Sequence, residues 1–195
     1  MRIEDDDGAC TVPIDRSWRG LLSFPLVAAL LTGCGPADAV REYFREPTPH
    51  EEYVLALSHA DLTGTALGSD WIQASREALD HPLVMDAPYL EEGFFPAEEP
   101  DALGYRFPLR RGQRLIVNVE LTGADSVRLF VDLFRRAPDT TRAPVPLLSG
   151  EAGTEMVFEP RRSGDYLLRV QPELLRSGRF TVTIDDSASM APRRE

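Results

Sequence analysis

The side chains able to do chemistry are few and widely spaced. The imidazoles are His50, His59 and His81. His50 and His59 miss the i, i+4 spacing that would put two ligands on one helix face, so surface or capping roles are expected of both. His81 precedes Pro82 at what reads as a helix end, where a cation complements the dipole. Catalytic zinc needs three protein ligands and an open position, and these positions do not compose such a set. Glu91, Glu92, Glu98, Glu99 and Asp101 surround Gly93-Phe94-Phe95-Pro96. Paired carboxylates serve acid–base catalysis or calcium binding, but the spacing is not that of an EF-hand, and a solvated loop is expected. Phe94 and Phe95 do not suit such a loop. They pack into the core, plug a sheet edge or form a contact patch. Nucleophile-elbow, phosphate-loop and Cys-x-x-Cys patterns do not occur in the sequence. No catalytic residue, metal ligand or cofactor is assigned.

Composition limits the partners. The chain has 195 residues, 43% hydrophobic and 27% charged, which fits one globular domain with appendages. Its 21 basic residues, all arginine, face 32 acidic ones, for a net charge of −11. That balance repels phosphate backbones, so nucleic acid is not an expected partner. The exclusive use of arginine reads as coding bias rather than chemistry.

The elements that position these residues divide the chain into five parts. In residues 1–33, Arg16 and Arg19 precede an apolar run, residues 21–31, that ends at Leu31-Thr32-Gly33-Cys34. The run is too short to span a bilayer core of about 30 Å and has the form of a secretory signal. Residues 34–47 read as a polar tether. Residues 48–81 read as two helices. The first has Thr48 as cap, Pro49 in its first turn and Glu51 completing a capping box. The second spans residues 66–79 with a stripe of Leu67, Trp71, Ala74, Ala78 and Leu79. Helices this short are marginal alone, so their apolar faces must be buried on a sheet face or edge, with Trp71 covering a strand edge. Residues 82–186 alternate with period two: Tyr105, Phe107, Leu109; Leu115, Val117, Val119; Val127, Leu129, Val131, Leu133; Tyr166, Leu168, Val170; Phe180, Val182, Ile184. Such short two-faced runs predict a mainly β fold, an antiparallel β-sandwich or jelly roll preceded by two short α-helices. Residues 187–195 read as a polar tail.

Two resemblances add to this reading. The Leu31-Thr32-Gly33-Cys34 box resembles that of bacterial lipoprotein signals. By that resemblance Leu31, Thr32 and Gly33 are read by the signal peptidase and Cys34 carries the lipid, which places the protein on a membrane of the cell envelope. The acidic stretch before residue 16 departs from a usual signal, and a start codon placed too far upstream would account for it. The strands Tyr105-Arg106-Phe107-Pro108-Leu109, residues 127–134 and residues 164–170 resemble the bacterial pre-peptidase C-terminal domain, a small β-sandwich. Residues 48–184 also resemble the N-terminal region of lysostaphin-type envelope zinc peptidases. Their catalytic His-x-His pair has no counterpart in this sequence. The resemblance therefore implies a fragment or paralogue that keeps only the accessory part. Such a module would position or regulate peptidoglycan hydrolysis, with the membrane, peptidoglycan or a peptidase domain as partners. The alternative is a stand-alone surface lipoprotein that binds a glycan or protein.

Overall fold

Helix α1, Pro49–His59, starts on a complete capping box: Thr48 Oγ1 accepts from Glu51 N–H at 3.2 Å, and Glu51 Oε2 accepts from Thr48 N–H at 2.8 Å. Helix α2, Ala66–Asp80, is capped by Thr65, whose hydroxyl accepts from the Gly68 N–H at 3.1 Å. The computed structural model describes residues 45–122, 127–137 and 143–188, all within the compact unit Arg45–Glu195.

Nine strands follow among the described residues: β1 Leu83–Val84, β2 Tyr89–Phe95, β3 Leu103–Leu109, β4 Gln113–Thr122, β5 Leu129–Arg135, β6 Val145–Glu151, β7 Met156–Phe158, β8 Gly164–Pro172 and β9 Gly178–Ala188. They form two sheets, ordered β1-β3-β8-β5-β6 and β2-β9-β4-β7. All pairings are antiparallel except β1 with β3, which is parallel. The fold is thus a mainly β sandwich preceded by two short helices. Tyr105, Phe107, Leu109, Leu115, Val117, Leu129, Leu133, Leu168, Val182 and Ile184 fill the space between the sheets. Alternation puts them there, because successive side chains on a strand point to opposite faces.

The first sheet is covered on its other face as well. Tyr166 to Pro172 on β8 and Leu129 to Leu133 on β5 are buried without interruption. The helices supply the cover. Trp71 and Leu57 pack with Phe130, and Tyr53, Val54 and Ile72 surround them. Trp71, 1% exposed, therefore seats on the face of a central strand pair and does not cover an edge. Its indole Nε1 donates to the Pro172 carbonyl at 2.8 Å. The buried stripe of α2 is Gly68, Trp71, Ser75 and Ala78 rather than the larger residues beside it. The reason is close approach. A Cβ on Gly104 of β3 would lie 1.6 Å from the Ala78 carbonyl oxygen, so helix backbone rests directly on strand backbone.

The acidic stretch is not a loop throughout. Glu91 and Glu92 belong to β2, an edge strand paired with β9. Glu91 faces the sandwich, where its Oε2 accepts from the Tyr89 hydroxyl at 2.7 Å and the Tyr105 hydroxyl at 3.0 Å. Pleating then divides the phenylalanines. Phe95 is 1% exposed and packs its ring 4.7 Å from that of Phe180, tilted by 38°, while Phe94 is 57% exposed on the outer face.

Trp71→Ala should lower unfolding free energy by roughly 3–5 kcal/mol, the range for removing a core aromatic. Denaturant titration followed by far-ultraviolet circular dichroism and by protease resistance of the strands checks this. Coincident transitions are expected; helices that melt while the strands stay resistant would overturn the joint packing.

Candidate functional site

Polar side chains that read as solvent-facing on alternating strands meet beneath the helices. Asp132 on β5 and Arg169 on β8 are register partners, and both are buried. Arg169 Nη2 donates to Asp132 Oδ2 at 2.6 Å and Nη1 to Ser75 Oγ of α2 at 2.6 Å. Its guanidinium carbon also lies 5.3 Å from the centroid of the Phe134 ring. Among the described residues, Arg169 Nε has no partner. Next along β8, Gln171 Nε2 donates to the Trp71 carbonyl at 2.8 Å, and Gln171 Oε1 lies 2.8 Å from His50 Nε2.

Ser75 and His50 are thus neighbours, with Ser75 Oγ 3.4 Å from His50 Nε2. A serine–histidine dyad is the chemistry this suggests, since a base beside a hydroxyl can activate it. The bonding excludes that arrangement. The Trp71 carbonyl orients the Gln171 amide so that its oxygen faces His50, which makes Nε2 the protonated nitrogen of the neutral ring. A nitrogen already donating cannot accept the Ser75 proton. Burial first, and then the Arg169 charge, lower the His50 pKa from 6.5 to about 4 against the opposing Gln171 bond. His50 is 5% exposed and stacked at 4.9 Å on Trp71, so it is neither a surface nor a simple capping residue. His59 and His81 are exposed, and His81 occupies the C-cap of α2. Among the described residues, no three His, Cys, Asp or Glu side chains are grouped to hold a metal ion.

The anchor box residues Leu31, Thr32, Gly33 and Cys34 lie outside the described residues. Among those described, no helix is long and apolar enough to cross a membrane. Of the suggested contact patch, Phe94 is available at the surface and Phe95 is not.

A second feature opens to solvent. A cleft of about 660 Å³ is lined by Arg106, Arg135, Arg136, Arg162, Ser163 and Asp165, among others. The ends of β3 and β5 and the start of β8 bring these residues together, because Leu109 pairs with Gly164 and Arg135 with Tyr166. The neighbouring arginines of β5 and of the β7–β8 loop were visible in the sequence, but nothing in it showed that the loop and strand ends meet.

No protein-family model matches the sequence, and no curated protein matches it. Partial structural likenesses exist. The pre-peptidase C-terminal domain of a collagenase from Bacillus anthracis is 13% identical over 54% of this chain and 95% of that one, with a TM-score of 0.43. PliG from Aeromonas hydrophila, a periplasmic inhibitor of g-type lysozyme, is 14% identical over 53% and 96%, with a TM-score of 0.40. The mitogen of Yersinia pseudotuberculosis is 11% identical over 55% and 91%, with a TM-score of 0.41.

Two outcomes test the buried network. Because the folded pKa of His50 lies below 6.5, the unfolded chain takes up the proton first as pH falls. The contribution of His50 is therefore fully present above about pH 6.5, lost between there and about pH 4, and worth up to about 3 kcal/mol. Unfolding of wild type and His50→Phe across that window should show a steeper pH slope for wild type; equal slopes would remove the assignment. Asp132→Ala alone should destabilise by roughly 3–5 kcal/mol, since Arg169 is left buried and unpaired. Asp132→Leu combined with Arg169→Met should regain most of that loss. A double variant as unstable as the single one would mean that the charges themselves are not the issue.

Proposed function

We propose that this protein is a non-catalytic accessory or interaction module of the bacterial cell envelope. Lipid on Cys34 holds it to a membrane surface, where it positions or regulates peptidoglycan hydrolysis by contact with murein or with a peptidase domain. One observation carries the non-catalytic part. The groups that resemble a reactive constellation, His50, Ser75, Asp132 and Arg169, are committed to fastening the helices onto the sheet. A scaffold built this way presents surfaces and lacks a reacting centre at its most polar point. The envelope part is supported by the Leu31-Thr32-Gly33-Cys34 box, since more than one acyl chain is needed for stable anchoring and a lipoprotein cysteine supplies that.

A second reading is a stand-alone surface lipoprotein that binds a ligand directly. The open arginine-lined cleft favours it, because a concave site of a few hundred Å³ with convergent polar groups suits a small ligand.

Expression with labelled fatty acid and membrane fractionation test the anchor. Wild type should carry the label and sediment with membranes, while Cys34→Ser should lose both. Cosedimentation of the Cys34→Ser protein with purified sacculi then tests the murein contact. Label retained by the variant would overturn the lipid assignment; absence from the sacculus pellet would move the partner from murein to protein.

A further inference from the structure

The geometry points to the cleft as a binding site for a compact ligand bearing two or three oxyanions, carboxylates or phosphates, held by Arg135, Arg136 and Arg162. Three observations combine. First, the charges converge from different parts of the chain. Arg106 comes from β3, Arg135 and Arg136 from the end of β5, and Arg162 from the turn before β8. Second, the compensation is incomplete. Among the described residues of the lining, Asp165 is the one carboxylate, and both Arg106 Nε and Nη2 donate to its Oδ2, at 3.0 and 2.6 Å. Among the described residues, no carboxylate pairs with Arg135, Arg136 or Arg162. In a chain with 32 acidic residues against 21 basic ones, three such guanidinium groups on one concavity run against the average.

Third, the backbone beneath them is braced. Arg136 N–H donates to the Asp165 carbonyl at 3.0 Å, the Tyr166 hydroxyl donates to the Arg162 carbonyl at 2.7 Å, and Arg111 N–H donates to Ser163 Oγ at 2.9 Å. Like charges held together by the fold repel one another, and an anion relieves that repulsion. Guanidinium forks match the planar oxygens of carboxylate and phosphate, so charge-assisted bonds to either are stronger than neutral ones. The Asp165–Arg106 pair closes one side of the cleft and disfavours an anion there. Size and charge select the ligand further. The cleft suits a small molecule or a short chain end, and the net charge of −11 opposes a long polyanion.

This inference rests on the ligand-binding reading and not on the lipid anchor. Isothermal titration of the full chain with inorganic pyrophosphate, citrate and the neutral sugar chitotriose separates the possibilities. Pyrophosphate, citrate or both should bind at one equivalent, and the preferred probe distinguishes phosphate from carboxylate as the natural group. Arg135→Gln with Arg136→Gln should weaken that binding at least about tenfold, as expected for lost charge-assisted bonds. Arg162→Gln should act in the same direction, whereas Arg76→Gln, on exposed helix surface, should stay within about twofold. Amide chemical shifts of wild type, expected to move at Arg136, Ser163 and Gly164, keep the test valid should the double variant misfold. Chitotriose binding alone would leave a ligand-binding cleft but overturn the oxyanion class. No binding by any probe, or equal weakening by Arg76→Gln, would overturn the site.

Discussion

The rest of this structure depends on one constraint: a guanidinium on the central strand of a sheet has been taken out of water. Arg169 sits between β3 and β5 on a strand with both faces covered, and a buried charge must be paired and hydrogen-bonded. Its requirements recruit residues from β5 and from α2. Asp132 comes from the adjacent strand and Ser75 from the helix above, with Phe134 beside the guanidinium plane. Gln171, two positions along the same face, repeats the arrangement with neutral groups by joining the backbone of α2 to the ring on α1. The helices are thereby attached in register, since sliding either one by a turn would strand several polar atoms at once.

Apolar packing supplies the adhesion and the polar chain supplies the alignment. Trp71, Tyr53, Leu57 and Phe130 form a patch that many relative positions of helix and sheet could bury. Hydrogen bonds at fixed points and the backbone contact at Gly104 reduce those positions to one. The unpartnered Arg169 Nε marks where the arrangement is incomplete. A buried donor left this way weakens the fold, which makes the alignment more consequential than the stability it adds.

Much of this was legible from local pattern. Thr48, Pro49 and Glu51 marked the start of α1 because a capping box is a short-range interaction between residues three apart. The alternation of Tyr105, Phe107 and Leu109 marked β3 because one face of it remains partly open. Strand β2 escaped notice because, as an edge strand, it presents Leu90, Glu92 and Phe94 to solvent and Glu91 to a pair of tyrosines. Its carboxylates looked like those of a loop. Asp132 and Arg169 were legible as strand residues but not as buried ones, and Gln171 lies one residue past the end of the strand that the alternation marked. Their environment is set by helices from the opposite end of the sequence, and alternation within a strand carries no information about a covering layer. The arginine cleft was hidden for the same reason: its lining is assembled from strand ends that only topology brings together.

The position of β9 has a consequence for how the chain acquires its structure. It lies between β2 and β4, so the earliest and middle strands of the second sheet do not touch each other and are joined only through the last one. Until β9 emerges from the ribosome, β2 has no neighbour in its sheet and β4 has only the three-residue β7. Pairing across so long a stretch of chain carries a loop-closure penalty and slows folding. Completion of the second sheet therefore waits for β9, which has to enter between β2 and β4, whereas the first sheet contains only strands that precede it.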